Sequence, residues 1–164
     1  MSKLKRLDEL IKIVEGLKKK EKKIIFTNGC FDILHLGHIR YLREAKRLGD
    51  ILIIGLNSDH SVRSLKGPNR PLVKEKSRAE ILSALEMVDY IVIFNELTPK
   101  NLIDKILPHI LVKGGDWKKE EVVGRDTVEA QGGEVVIIPE VKGYSTSALI
   151  NKIRSQGIEG IRKD

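Results

Sequence analysis

The chain has 164 residues, of which 41% are hydrophobic and only 4% aromatic. A chain of this length buries about two-thirds of its unfolded surface around one core, so neither a disulfide nor a structural metal is required. Cys30 is the single cysteine, which excludes an internal disulfide and indicates a reducing compartment. The formal net charge of +7 favours an anionic partner but does not choose among nucleic acid, a nucleotide and a phosphorylated sugar.

The sequence lacks a run of about 20 apolar residues that could span a membrane, and its N-terminal segment is charged and amphipathic, unlike a signal peptide. We therefore predict a cytoplasmic protein with no membrane partner. The scarcity of aromatic residues argues against a platform that stacks RNA bases, so we predict no nucleic-acid partner. The lysine-rich run at 18–23 is interpreted as a solvated face.

Hydrophobic periodicity predicts a leader helix within residues 1–20, followed by alternating strands and helices. The unbroken apolar run at 51–56 is typical of a strand covered on both faces, as in a parallel sheet. Residues 57–70 are predicted as a partly irregular, mobile loop in which 61–65 could form a helical turn. The other predicted strands are 23–27, 90–94, 110–113 and 134–138, and the other predicted helices are 37–48, 74–87, 99–106, 119–131 and 146–155.

This alternation predicts one α/β domain over residues 1–164, with a parallel five-stranded sheet and helices on both faces. Ligands of such sheets bind beyond the carboxyl ends of the strands. The turns that follow the five strands are therefore expected to hold the functional site.

The segment 27–38 follows the first predicted strand and runs into a helix, which is the place for a phosphate site. Gly29 and Gly37 would let the backbone approach a phosphate closely. His35 and His38 are three residues apart, so on one helix face both could donate hydrogen bonds to a triphosphate. The alternative is that they are unrelated, one capping the helix and one exposed. A zinc site is disfavoured because the sequence shows no supporting pattern of further ligands.

The segment 26–38 resembles the signature of the cytidylyltransferase-like nucleotidyltransferases, and Gly-Tyr-Ser-Thr-Ser at 143–147 resembles their second motif. The resemblance implies a Rossmann-like fold. Four further stretches resemble the D-glycero-β-D-manno-heptose 1-phosphate adenylyltransferases within that superfamily, at 55–59, 65–71, 111–116 and 132–135. The chain departs from the usual family pattern at Trp117 and Ser147. Glu140 stands where glycerol-phosphate cytidylyltransferases tend to have arginine, which weighs against a cytidine substrate.

The resemblance implies that a sugar 1-phosphate attacks the α-phosphorus of ATP and releases pyrophosphate, with Mg²⁺ accompanying ATP and no direct protein ligand to the metal. His35, His38 and Lys66 are predicted as the catalytic residues, because this chemistry needs donors and cations rather than a nucleophile. Arg78 and Arg70 are predicted to bind the substrate phosphate. The predicted nucleotide-binding residues are Thr27, Asn28, Gly29, Cys30, Phe31, Gly37, Asp116, Ser145 and Thr146.

Plainer roles stay open for several of these residues. Lys66 could be a solvated loop lysine, and Arg78 could be a helix-surface partner of nearby acids. Asp32 is expected to orient the first turn or a histidine, and Phe31 to support that turn rather than to stack on a base. Cys30 is not expected to act as a nucleophile.

The predicted partners are ATP and a sugar 1-phosphate, in a homo-oligomer taken as a dimer. Two other functions stay open. One is transfer to another phosphate, as in FAD synthetase or glycerol-3-phosphate cytidylyltransferase. The other is nucleotide binding without turnover.

Overall fold

Five parallel strands form one sheet in the order β3-β2-β1-β4-β5 in the computed structural model, which describes residues 2–115 and 117–155. Their bounds are β1 Ile24–Gly29, β2 Ile51–Asn57, β3 Tyr90–Phe94, β4 Ile110–Gly114 and β5 Glu134–Ile138. The chain moves outward from the central strand β1 through β2 to β3, and then returns to the other side of β1 with β4. The order therefore reverses between β1 and β4, and such reversals open a crevice at the carboxyl edge of a sheet. The predicted fold class is confirmed.

Helices cover both faces of this sheet. Their bounds are α1 Leu7–Lys19, α2 Leu36–Arg47, α3 Asp59–Lys66, α4 Glu75–Ser83, α5 Lys100–Ile106, α6 Arg125–Ala130 and α7 Thr146–Ser155. One buried cluster joins the sheet to α1, α5 and α6, with Leu10, Ile103 and Val128 among its members. A second cluster on the opposite face joins the sheet to α2 and α4 through residues such as Leu42 and Leu82. Strands buried on both faces explain why the apolar runs in the sequence are unbroken.

The leader helix α1 is present at Leu7–Lys19 and packs against α5 and β3. The residues before it extend the sheet, because the backbone N–H of Lys5 donates to the carbonyl of Ile91 and the N–H of Ile91 donates to the carbonyl of Lys3. The N-terminal segment thus covers the outer edge of β3, which would otherwise expose unpaired backbone groups. No helix of residues 2–115 and 117–155 combines the length and apolar character needed to cross a membrane.

Two predicted segments differ from the structure. The predicted loop 57–70 contains the two-turn helix α3, and Ser58 caps it by accepting a hydrogen bond from the N–H of Ser61 at 3.1 Å. The predicted helix 119–131 is divided into a 3-10 turn at Lys119–Glu121 and α6, because Gly124 between them has φ of 88°. A left-handed residue cannot continue an α-helix. The remaining predicted bounds agree to within a few residues, except that the leader helix predicted over 1–20 begins at Leu7 and α4 ends at Ser83 rather than at residue 87.

Candidate active site

A cleft of about 620 Å³ lies at the carboxyl edge of the sheet, where the strand order reverses. Its walls are the turn after β1, the start of α2, the end of α3, the loop before α5, the end of β4 and the β5–α7 loop. The two motif segments, 27–38 and 143–147, are far apart in the sequence, and residues of both line this cleft. The cleft therefore lies where the βα arrangement predicts a ligand site.

His35 and His38 stack on each other inside the cleft, with ring centroids 3.8 Å apart and an interplanar angle of 26°. His35 is the N-cap residue of α2, but its side chain makes no capping hydrogen bond. The Nδ1 atoms of both rings are buried and have no hydrogen-bond partner among the residues that the structure describes. Buried polar atoms of native proteins nearly always have partners, so this pair points to a ligand.

Burial, with a smaller contribution from the neighbouring His35, lowers the pKa of His38 to about 4. Burial also lowers the pKa of His35, while the carboxylate of Glu140 opposes that shift. Both rings are therefore neutral at pH 7 in the free protein. An anion in the cleft would favour their protonated forms.

The N-terminus of α2 is suited to bind an anion. Its first turn contains no acidic residue, and its first backbone N–H groups face the cleft end of the helix. A Cβ on Gly37 would lie 2.9 Å from the His35 ring and 3.2 Å from Cβ of Tyr144. Glycine at this position is therefore what lets the histidine pair and the α7 segment approach each other.

Ser145 and Thr146 bring the other end of the chain to the same cleft. The Oγ of Ser145 accepts a hydrogen bond from the N–H of Ala148 at 3.0 Å, which is the N-cap interaction of α7. Because this bond uses the oxygen as acceptor, the hydroxyl proton of Ser145 remains available to a ligand.

The end of β1 places Asn28 and Gly29 along the cleft, and the turn after it adds Cys30 and Phe31, as predicted. Phe31 has φ of 45° and is 6% exposed, and its ring would contact a Cβ on Gly29 at 2.9 Å. Its ring also lies 5.2 Å from that of His38. Phe31 thus supports the turn and one imidazole. Burial raises the pKa of the Cys30 thiol, which keeps it protonated and weakens any role as a nucleophile.

Thr27 requires a correction, because it does not line the cleft. Its side chain is fully buried, and its Oγ1 lies 2.6 Å from the hydroxyl of Tyr41 in α2. Thr27 therefore joins β1 to α2 and positions the turn, rather than contacting a nucleotide directly.

Arg78 requires a larger correction. It was predicted to meet substrate phosphate, but its side chain is fully buried and does not line the cleft. Its guanidinium donates to the carbonyls of Cys30 and Asn57 and to Oδ1 of Asp59 at 2.6 to 2.8 Å, and to the carbonyl of Val73 at 2.8 Å. Every nitrogen of the guanidinium thus bonds to protein, and Arg78 ties together the turn after β1, the end of β2 and the segment before α4.

Arg70 lines the cleft as predicted, but it is paired with Asp32. Its Nε donates to Oδ2 of Asp32 at 2.7 Å, and the backbone N–H groups of Leu72 and Val73 donate to the same carboxylate. Burial would raise the pKa of Asp32, but these amides and Arg70 outweigh it, so the pKa lies below its usual value. Asp32 thus anchors the segment that leads from α3 to α4, rather than a histidine.

Lys66 is exposed at the last position of α3 and lines the cleft near Cys30. This placement suits a cation that approaches phosphates. Asp116, the remaining predicted nucleotide-binding residue, lies outside the described residues.

Comparison with known proteins identifies the family of the chain. A family model described as cytidylyltransferase-like matches residues 26–152. The chain belongs to the cytidylyltransferase-like family. As a member of that family it is a nucleotidyltransferase.

Several curated relatives of this nucleotidyltransferase carry the name bifunctional protein HldE. Those from Geobacter metallireducens and Geotalea uraniireducens are 55% and 52% identical over 96% of the chain. The chain spans 32% of the length of each of these relatives.

Two solved structures share the fold. A lipopolysaccharide core biosynthesis protein from Thermoplasma volcanium is 33% identical, with a TM-score of 0.61, and the match covers 76% of this chain and 99% of that one. A pantoate-beta-alanine ligase from Francisella tularensis has a TM-score of 0.60 at 16% identity, with 95% of this chain and 80% of that one covered. The second likeness concerns the fold alone.

Lys113 is a cleft residue of this nucleotidyltransferase to which sequence analysis assigned no role. It lies at the end of β4, and its Nζ donates to Oδ1 of Asn28 at 2.8 Å. The same Nζ lies 5.4 Å from the ring centroid of Trp117. A signal was present in the sequence, because a lysine directly after the apolar run 110–112 falls at the carboxyl edge of the sheet.

Proposed function

We propose that this nucleotidyltransferase transfers AMP from ATP to a sugar 1-phosphate, with D-glycero-β-D-manno-heptose 1-phosphate as the preferred acceptor. The observation that carries the proposal is the stacked pair His35 and His38, whose buried Nδ1 atoms lack partners among the described residues. The pair shares its cleft with the hydroxyl groups of Ser145 and Thr146. Two imidazoles, two hydroxyls and two helix N-termini provide donors suited to a polyphosphate.

The cleft is suited to transfer by positioning and charge neutralisation. An oxygen of the acceptor phosphate attacks the α-phosphorus of ATP, and the bond to the bridging oxygen of the β-phosphate breaks as pyrophosphate leaves. Such a step needs donors that meet the growing charge on the phosphoryl oxygens. His35 and His38 would meet the α- and β-phosphates, and Lys66 would approach them from the end of α3. The protonated thiol of Cys30 takes no part, because no covalent intermediate is needed.

Three observations support heptose 1-phosphate as the acceptor. The first is the resemblance of 55–59, 65–71, 111–116 and 132–135 to the heptose 1-phosphate adenylyltransferases. The second is the similarity to the HldE proteins over nearly the whole chain. The third is the fold shared, at 33% identity, with a protein of lipopolysaccharide core biosynthesis.

Mg²⁺ would enter as its complex with ATP. No cluster of three or more His, Cys, Asp or Glu side chains suitable for a metal occurs within residues 2–115 and 117–155. The donor set of the cleft therefore fits a cation held chiefly by phosphate oxygens, as is usual for Mg²⁺ at nucleotide sites, with Glu140 as the nearby carboxylate. When bound, Mg²⁺ would neutralise charge on the phosphates. The cytoplasmic location and the dimer stay predictions.

The test is pyrophosphate release by the purified protein with Mg²⁺ and matched pairs of nucleotide and acceptor. ATP with heptose 1-phosphate should give the highest kcat/KM. CTP with glycerol 3-phosphate and ATP with FMN test the two other transferase activities, and glucose 1-phosphate tests sugar selectivity. A higher kcat/KM with either of those two pairs would contradict the proposal. Tight binding of ATP without turnover on any acceptor would favour a non-catalytic nucleotide-binding protein instead.

A further inference from the structure

The cleft extends onto both faces of the sheet. Successive side chains of a strand point to opposite faces. Thr27 points to the α2 face, where its Oγ1 meets Tyr41. Asn28 therefore points to the other face. A Cβ on Gly55 confirms this, because it would lie 3.3 Å from Cβ of Asn28 and 3.2 Å from Leu102 in α5.

Lys113 joins Asn28 on this α5 face. The hydrogen bond of 2.8 Å between Nζ and Oδ1 of Asn28 fixes the ammonium there, with the Trp117 ring beside it. We call this region the lysine compartment and define it by the cleft-lining residues Asn28, Leu97, Pro99, Lys113, Trp117 and Val123. The histidine pair lies on the opposite, α2 side of the same cleft.

The distribution of cations in the cleft indicates that its α2 and α5 sides bind different phosphates. The reaction joins two anions, and each needs a cation. Among the described residues that line the cleft, the lysine and arginine side chains are Lys66, Arg70 and Lys113. The carboxylate of Asp32 neutralises Arg70. Lys113 is bonded to Asn28, whose side chain points to the α5 face, so Lys113 is the cation placed on the α5 side.

The ammonium of Lys113 has hydrogen-bond donors available for an anionic ligand. It is half-buried, and burial lowers its pKa. Within the described part of the chain its Nζ makes a hydrogen bond to the neutral Asn28 and no ion pair to a carboxylate within 4.0 Å. An ammonium has three N–H donors, so two remain for a ligand. A phosphate dianion would offset the cost of burying this charge.

We propose that Lys113 binds the phosphate of the acceptor in the lysine compartment, while the histidine pair binds the phosphates of ATP. This inference rests on the proposed transfer to a sugar 1-phosphate. It places the attacking oxygen on the α5 side of the α-phosphorus and pyrophosphate on the α2 side. Displacement at phosphorus requires these two groups to be roughly in line. The new P–O bond forms as the bond to pyrophosphate breaks, and no proton has to move.

The test replaces Lys113 with methionine, which keeps the length of the side chain and removes its charge. The KM for heptose 1-phosphate should rise at least tenfold, while the Kd of α,β-methylene ATP, measured by calorimetry, should stay within twofold. Lys76→Met is the matched control, because Lys76 is exposed on α4 and does not line the cleft. An unchanged KM for the acceptor would overturn the inference. So would a comparable loss of nucleotide affinity, because Lys113 would then serve ATP.

A second measurement uses the unmodified protein. The ¹³Cε signal of Lys113, assigned with Lys113→Arg, should move when inorganic phosphate is added to the complex with α,β-methylene ATP. A signal that does not move would overturn the inference even if Lys113→Met fails to fold. If the signal moves but no sugar 1-phosphate is turned over, the proposed function fails and the phosphate site at Lys113 stands.

Discussion

The two stacked imidazole rings weaken the folded state, because their buried Nδ1 atoms lose hydrogen bonds to water and find no partner within residues 2–115 and 117–155. Such strain at a functional site is expected where a ligand supplies the missing partner. The arrangement makes sense if the cleft is built for the complex with polyphosphate rather than for the free protein.

Substitution of either histidine tests this interpretation. His35→Ala and His38→Ala should each lower kcat by at least about a hundredfold, because removal of one transition-state donor costs roughly 3 kcal/mol. Steady-state rates of pyrophosphate release provide the measurement. His60→Ala is the control, since His60 is exposed on α3 and does not line the cleft. Rates near those of the unsubstituted protein in either cleft variant would remove the assigned role.

The low pKa of His38 also predicts how stability depends on pH. The unfolded chain binds a proton to this histidine below about pH 6.5, whereas burial delays protonation in the folded state to about pH 4. The unfolded state therefore binds more protons in this interval, and stability falls as the pH decreases.

His38→Gln should remove this contribution. The loss of unfolding free energy between pH 7 and pH 4.5 should be smaller in the variant by about 2 kcal/mol. Urea unfolding at both pH values measures the difference. Parallel stability curves for the two proteins would show that His38 titrates normally in the folded state.

At the scale of elements, the segment between α3 and α4 carries Arg70 and is held in place by Asp32. Asp32→Asn keeps the shape of the side chain but removes its charge, leaving Arg70 without a counterion. Loss of one partner from a buried ion pair costs about 3 to 5 kcal/mol. Thermal and urea unfolding should therefore show a large loss, and kcat should fall because the segment that follows Lys66 is less well fixed.

A matched control comes from the exposed ion pair between Arg47 and Glu44, whose side chains are 70% and 50% accessible. Glu44→Gln should change stability by less than about 1 kcal/mol, since exposed pairs contribute little. If Asp32→Asn lowered the free energy of unfolding as little as this control, the anchoring role assigned to Asp32 would be wrong.

The elements also show what the sequence can and cannot predict. The strands were predictable because each buries both faces and so appears as an apolar run, as in 51–56. Helix α3 was predicted only as a possible turn at 61–65 because its exposed face is polar, although Ser58 and Asp59 are typical of a helix start. The break at Gly124 depends on a left-handed backbone conformation that glycine permits but does not require.

The same limit applies to the site. The two histidines were predictable because their spacing and the topology place them at one edge of the sheet, and the Ser-Thr pair because it resembles a family motif. The roles of Arg78 and Lys113 were not, because they depend on where a long side chain ends. Arg78 turns into the protein to reach Cys30 and Asn57, whereas Lys113 lies along the cleft to reach Asn28.

At the scale of the whole molecule, the fold brings residues about 110 positions apart in the chain into one cleft. The strand order places β1 at the centre, so the turn after it and the loop after the edge strand β5 meet across the carboxyl edge of β4. Neither end of the chain could form the site alone. We infer that this junction binds a polyphosphate between the imidazoles and the start of α7.

A crystal structure of the protein with α,β-methylene ATP and Mg²⁺ tests that claim most directly. Phosphate oxygens should lie within hydrogen-bond distance of His35, His38 and at least one hydroxyl of Ser145 or Thr146. A nucleotide whose phosphates lie away from both rings, with the two Nδ1 atoms still lacking partners, would contradict it.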